Sequence, residues 1–290
     1  MKLLINADDL GLTRSGSETI LNCIDEGLLN GVSIVPNGAA FDYAVTRLAD
    51  RRAVSLGIHL NLVEGRPVSP PERLPRLVDS RGCFRYGFIG LWKALSLSSG
   101  KVREDLLGEL RGEIVAQIQK CVEAAAYCHS FRLDSHTHVH MIPPIFEIIL
   151  QLVPQYEITY IRIPHERFIN HRLFSLNGIK QVLLRLLSRQ AEKKIEDRHI
   201  LHGREFFGIL YSGRMHQTNW PAMLERFGDQ PGIAEVLFHP GGATPSEITS
   251  GDIRFGNFYL KTARLKEARA LRHMMQFIKR DELIWQLPRE

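Results

Sequence analysis

From its second residue almost to its end, the chain alternates between short apolar runs and longer stretches of helical spacing. That alternation is the tightest constraint on its fold. Runs at 2–6, 31–35, 54–60, 131–135, 160–163, 206–210, 233–238 and 283–287 read as strands. Helical spacing lies between them, at about 15–27, 41–49, 104–127, 144–153, 173–194, 219–227 and 258–280. Gly27 stands where a helix C-cap is wanted and Asn219 where an N-cap is wanted. The 104–127 stretch carries Leu106, Leu107, Leu110, Ile114 and Ile118 on one face. The Pro- and Gly-rich segment 65–87 reads as a long excursion, and long loops in compact domains usually serve function. Strands separated by crossover helices lie parallel. With no internal repeat and no linker, the expected fold is α/β: a distorted (β/α) barrel of about seven parallel strands, one domain spanning 1–290.

Composition supports a globular chain and narrows its partners. Hydrophobic residues make up 44% and charged residues 24% of 290, enough apolar surface to offset chain entropy. No segment approaches the ~18 uninterrupted apolar residues of a membrane span. The five residues before Asn6 are too few for the apolar core of a signal peptide, so a cytoplasmic location is expected. Four cysteines without a C-x-x-C pair read as reduced thiols. Lys and Arg number 37 against 32 Asp and Glu, a net charge of +5. The surplus sits in two late stretches, 167–204 and 261–280, which read as solvated helix faces. No nucleic-acid-binding signature accompanies them, so no nucleic-acid partner is expected. They leave room for weak association with an anionic membrane surface or substrate, and a homodimer is the default expectation.

Polar residues collect just after the apolar runs, where an α/β barrel or open sheet places its active site. Asp8 and Asp9 follow the first run, and His59 ends the third. Asp134, His136, His138 and His140 follow the fourth, Arg162 ends the fifth, and His239 closes the 233–238 run. Any one of these could be a cap or a core histidine; together they mark a site. In extended chain, Asp134, His136, His138 and His140 would project in one direction. Imidazoles on one face suit a divalent metal, and two histidines with one carboxylate leave positions open for water and substrate. His59 and either Asp8 or Asp9 are the partners expected from other strands.

Four segments also resemble, in order, the motifs of the YdjC-type carbohydrate deacetylases, which include chitooligosaccharide deacetylase. They are Asn6-Ala7-Asp8-Asp9-Leu10-Gly11-Leu12, Gly57-Ile58-His59-Leu60, the run from Asp134 to His140, and Phe238-His239-Pro240-Gly241. Val63-Glu64-Gly65-Arg66-Pro67-Val68 with Leu77-Val78-Asp79 resembles, more weakly, the hopanoid-biosynthesis-associated branch. The resemblance implies one divalent metal ion, magnesium or zinc, on Asp9, His59 and His136. It also implies Asp8 as general base, His239 as general acid, and an N-acetylated amino sugar, oligosaccharide or glycolipid as substrate. Asp134, His138, His140 and Arg162 are then expected to support those groups or to touch substrate. A metal-dependent phosphoesterase is the competing enzyme, and a carbohydrate- or lipid-binding barrel without turnover is the competing non-enzyme.

Overall fold

A computed structural model describes residues 1–51, 54–166, 176–212, 215–218, 220–221, 231–248, 256–260 and 262–284. Strand β1 (Lys2–Leu10) leads to α1 (Arg14–Asp25), whose N-cap Thr13 accepts the Gly16 N–H through its hydroxyl at 3.2 Å. Then come β2 (Gly31–Ile34), α2 (Phe41–Leu48), β3 (Ser55–Leu60), α3 (Phe88–Leu97), α4 (Gly100–Ala124), β4 (Phe131–Ser135), α5 (Pro143–Leu152), β5 (Ile158–Ile161) and α6 (Leu176–Glu196). The later elements are β6 (Glu205–Phe207), β7 (Ile233–Phe238), α7 (Pro245–Ile248), α8 (Gly256–Tyr259) and α9 (Thr262–Met275).

The seven strands form one sheet in the order β5-β4-β3-β2-β1-β7-β6, every neighbouring pair parallel. The chain leaving β5 meets β6 through a single bridge between Glu166 and Phe206, and Leu201, just before β6, pairs with Tyr160. The sheet therefore curls toward closure, as a distorted barrel requires. Leu283 adds one bridge to Leu3 and the Ile284 N–H donates to the Leu3 carbonyl at 3.0 Å, while residues 285–287 of the expected last strand lie outside the described residues. So does the expected helix at 219–227 apart from residues 220 and 221, and with it the expected N-cap Asn219. Helix α3 was not foreseen, and the single helix expected over 258–280 is two, α8 and α9.

Strands buried on both faces usually read as continuous apolar runs. Here one face is apolar and the other is charged. Ile5, Ala7, Ile58, Leu133, Ile161 and Val236 pack into the main core, each fully buried. Residues in the alternate phase, Asn6, Asp8, His59, Arg132, Asp134, Tyr160, Arg162 and Glu235, are equally buried but polar. Two glycines make room for this layer. A Cβ on Gly31 would stand 2.8 Å from Asn6 Oδ1 and 2.9 Å from Arg132 Nη2, and one on Gly57 would stand 2.8 Å from Ser33 Oγ. Outside the sheet, Leu106, Leu110, Ile114 and Ile118 of α4 are buried, each worth about 1.5–3 kcal/mol. The same helix buries Glu113 and Gln117 to hold the long loop after β3. Glu113 accepts the N–H groups of Val68 (2.8 Å) and Ser69 (2.9 Å), and Gln117 bonds both backbone groups of Asn61.

Candidate active site

The C-terminal end of β1 delivers two adjacent carboxylates to one place, which simple alternation forbids. The register of β1 against β2 slips between Ala7 and Leu10, and Asp9 takes a left-handed φ of 69°. This bulge turns Asp9 back toward the site that Asp8 already faces. Non-glycine residues rarely adopt that conformation, and such strain is tolerated where the surroundings hold it. Arg264 supplies part of the hold through a short hydrogen bond from Nη2 to Asp9 Oδ2. The other oxygen, Oδ1, lies 3.1 Å from His136 Nδ1 and 3.6 Å from His59 Nε2. Burial would raise the Asp9 pKa, but Arg264 and His136 hold it well below the usual carboxylate range.

His59 is fixed from behind. Its Nδ1 lies 2.5 Å from Asp134 Oδ1, while Asp134 Oδ2 accepts from Ser33 Oγ at 2.6 Å and pairs with Arg162 Nη2 at 2.9 Å. A carboxylate on Nδ1 holds a proton there and orients the ring so that Nε2 faces Asp9; burial would lower the His59 pKa, but Asp8, Asp134 and Asp9 raise it. Arg162 also grips Asp8 with both ends of its fork, at 2.8 and 2.9 Å, and reaches Glu235 through Nε at 2.7 Å. Burial would depress the Arg162 pKa; Asp134, Asp8 and Glu235 instead push it well above the ordinary value.

The structure corrects the expectation that residues 134 to 140 project in one direction. Strand β4 ends at Ser135, and the chain turns tightly through Thr137 and His138 at φ of 55° and 62°. His136 faces Asp9. His140 is folded back as a strut, with Nδ1 2.5 Å from Ser135 Oγ and Nε2 2.9 Å from the Arg162 carbonyl oxygen. Both its nitrogens are engaged, so His140 offers no ligand atom. Burial holds it neutral, at about 4. His138 packs edge-on to Phe206 with ring centroids 5.9 Å apart.

Other contacts come from residues whose sequence context gave little warning. Glu64, on the loop pinned by α4, places Oε1 3.1 Å from His136 Nε2 and accepts from the Tyr259 hydroxyl at 2.5 Å. Asp9 and Glu64 flank the His136 ring and push it up to about 10 against the effect of burial. Helix α9, read from sequence as a solvated basic face, instead buries Arg264 against Asp9 and Glu267 against His239. Glu267 accepts the backbone N–H groups of His239 at 2.5 Å and Met215 at 3.2 Å. The signal was there: 264, 267, 268, 271 and 274 share one helical stripe, and Ala268, Leu271 and Met274 are apolar. Arg272 does lie outside, paired with Glu26.

A cavity of about 270 Å³ opens onto Asp8, His59, His136 and His239. Among the described residues, two sets of donor atoms lie close enough together for a cation: Asp9, His59, His136 and Asp8, His59, Asp134. Arg162 already supplies the positive charge to Asp8 and Asp134, so the second set is an ion-pair cluster. The first fits a divalent metal. Ligand bonds of about 2.0–2.2 Å place tetrahedral donors about 3.3–3.6 Å apart, and the distances from Asp9 Oδ1 to the two imidazoles are 3.1 and 3.6 Å. Glu64 faces the other nitrogen of the His136 ring, 3.1 Å from Nε2, so the ring is held in place from the side away from Asp9. His239 is different in character: burial, with Arg264 beside it, pushes it down to about 3, so its imidazole is neutral.

A carbohydrate deacetylase from Danio rerio is 28% identical across 95% of this chain and 93% of its own length. One from Brevibacillus brevis is 35% identical across 86% of this chain and 85% of its own. A solved Enterococcus faecalis structure, described as a cellobiose-phosphate cleavage protein, superposes with a TM-score of 0.69 at 20% identity, covering 98% of this chain and 95% of that one, and so shares the fold. The model of the YdjC-like protein family matches residues 2–276, and the chain belongs to that family.

Proposed function

We propose that this protein hydrolyses the acetamido group of an N-acetylated sugar with one divalent metal on Asp9, His59 and His136. The observation that carries this reading is the Asp9-His59-His136 donor set lying beside Asp8 and His239 in one cavity. Two relatives named carbohydrate deacetylase support the reaction class. Two imidazoles and one carboxylate favour zinc over magnesium, whose preferred ligands are oxygens.

An amide resists hydrolysis because its carbonyl is a weak electrophile and its amine a poor leaving group. A divalent metal in this site supplies Lewis-acid polarisation of the carbonyl and makes a water acidic at neutral pH. The chain's own groups do the rest. Asp8, fixed by the Arg162 fork, takes the proton from the attacking water. Asp134 keeps the His59 ring in the tautomer that presents Nε2. His239, on the same cavity, is the group placed to hand a proton to the departing nitrogen. The balance closes, since hydrolysis moves one proton from water to amine. Glu267 fixes the His239 backbone in position for this step.

Substituting His136→Ala tests the assignment. The expected result is loss of both bound metal and acetate release, and full metal occupancy with normal turnover would contradict it.

A further inference from the structure

Between Asp79 and Glu104 the chain has no acidic residue, yet it carries Arg81, Arg85, Lys93, Lys101 and Arg103. Those cations alone match the +5 net charge of the whole chain. The same stretch is rich in large apolar residues and builds α3 and the start of α4. Leu91 and Leu95 point inward and are fully buried, while Phe88 and Trp92 are half-buried against the core with their rings edge-on at 6.1 Å. The outward stripe of α3 is Ile89, Lys93, Ser96 and Leu97, which recur at helical spacing.

The water-facing side of a surface helix ordinarily carries polar groups. Here Ile89 is 52% exposed and Leu97 83%, and Val102, just past the corner into α4, is 55% exposed. Single apolar side chains on a surface are ordinary, but these three are interleaved with cations at one corner of the fold. Lys93 is exposed and forms no ion pair among the described residues. Lys101 pairs with Asp105 one turn on, an acid that Arg76 also holds. Helix α3 packs on the 136–141 turn that carries His136, and so does α6. Four of the eight large exposed hydrophobic side chains among the described residues, Ile89, Leu97, Val182 and Leu186, sit on those two helices. A surface that received α3 would therefore lie at the end of the sheet where the cavity opens.

We propose that the α3–α4 corner is a docking surface for an anionic lipid bilayer. Aliphatic tips alternating with ammonium groups match the boundary between acyl chains and headgroups. Ile89, Leu97 and Val102 enter its apolar side, and Lys93 and Lys101 stay among the lipid phosphates. A second copy of the chain fits this face less well, because an isologous contact would set the same cations against each other. A soluble acidic partner answers the lysines and not the aliphatic tips. The docking does not depend on which reaction the cavity performs.

Co-sedimentation of the full-length protein with vesicles tests the proposal, using phosphatidylcholine alone and phosphatidylcholine mixed equally with phosphatidylglycerol. The expected result is binding to the anionic vesicles that falls with salt, and far weaker binding to the neutral ones. At about fivefold per lysine neutralised, Lys93→Gln combined with Lys101→Gln should weaken it by roughly 25-fold. Lys93→Arg combined with Lys101→Arg should bind as the parent does. Leu97→Ser should weaken binding by at least about threefold at unchanged charge. All three side chains are exposed, so these variants should keep the parent's thermal midpoint, which separates lost docking from lost folding. Absence of binding to anionic vesicles, equal binding to neutral ones, or unchanged binding in the glutamine or serine variant would overturn the proposal. Equally tight binding to soluble polyglutamate that Leu97→Ser leaves intact would overturn it in favour of an acidic partner.

Discussion

Replacing Arg162 with methionine keeps most of the side-chain volume and removes the charge on which three buried carboxylates converge. The structure shows where the loss falls. Glu235 would keep the Tyr160 hydroxyl at 2.7 Å, and Asp134 would keep His59 at 2.5 Å and Ser33 at 2.6 Å. Asp8 would keep only one amide donor, Asn6 Nδ2 at 2.8 Å, in place of its two guanidinium bonds. The variant therefore strands one buried carboxylate, and breaking a buried pair in this way costs about 3–5 kcal/mol. Native proteins have only about 5–15 kcal/mol in reserve. At about 2–4 °C per kcal/mol for a domain of this size, the thermal midpoint should fall by roughly 10 °C. Chemical denaturation with an unchanged m-value would give the free energy directly. Arg162→Lys should fall between the two, since an ammonium restores the charge but not the fork. A loss under about 1 kcal/mol in the methionine variant would refute the view that Arg162 holds the carboxylate layer together.

Two further predictions concern other parts of the same structure. Asp134→Asn should weaken metal binding by about 10–100-fold, measured by chelator competition, because the amide no longer fixes the His59 tautomer; affinity within twofold of the parent would contradict that role. Glu166, buried and accepting the N–H groups of Gly208 and Leu210, has its carboxyl pushed from an ordinary 4.5 up to about 7. The folded state then holds a proton that the unfolded chain has released, so this group's contribution to stability falls as pH rises from about 4.5 to about 7. Between pH 5.5 and 7.5 the parent should lose about 2 kcal/mol relative to Glu166→Gln, read from paired urea titrations; a pH-independent difference would contradict the shift.

Much of the site was legible because parallel α/β folds bring strand C-termini together whatever the sequence separation. Asp8, Asp9, His59, His136 and His239 could be placed by noting which polar residues end apolar runs. Backbone conformation was harder to read. Asp9 and the Thr137-His138 pair adopt left-handed φ without glycine, so no residue type announced the bulge or the turn. As a result His140, expected to point with His136, became a strut between Ser135 and the Arg162 carbonyl. Glu64 lay in a loop whose position depends on Glu113 and Gln117 from α4, a contact between distant segments that periodicity does not reveal. Arg264 and Glu267 were hidden by charge, since a basic helix ordinarily faces solvent, although their stripe was apolar. The charged face of the sheet was visible in retrospect as Asn6/Asp8, Arg132/Asp134 and Tyr160/Arg162, pairs two residues apart in strands otherwise apolar.

The most direct test of the central claim is acetate release from N-acetylated chito-oligosaccharides by the intact protein before chelation, after chelation, and after a single divalent metal is restored. Release should be abolished by the chelator and recovered at one metal ion per chain. Release that survives complete metal removal, or recovery that needs two ions per chain, would contradict it.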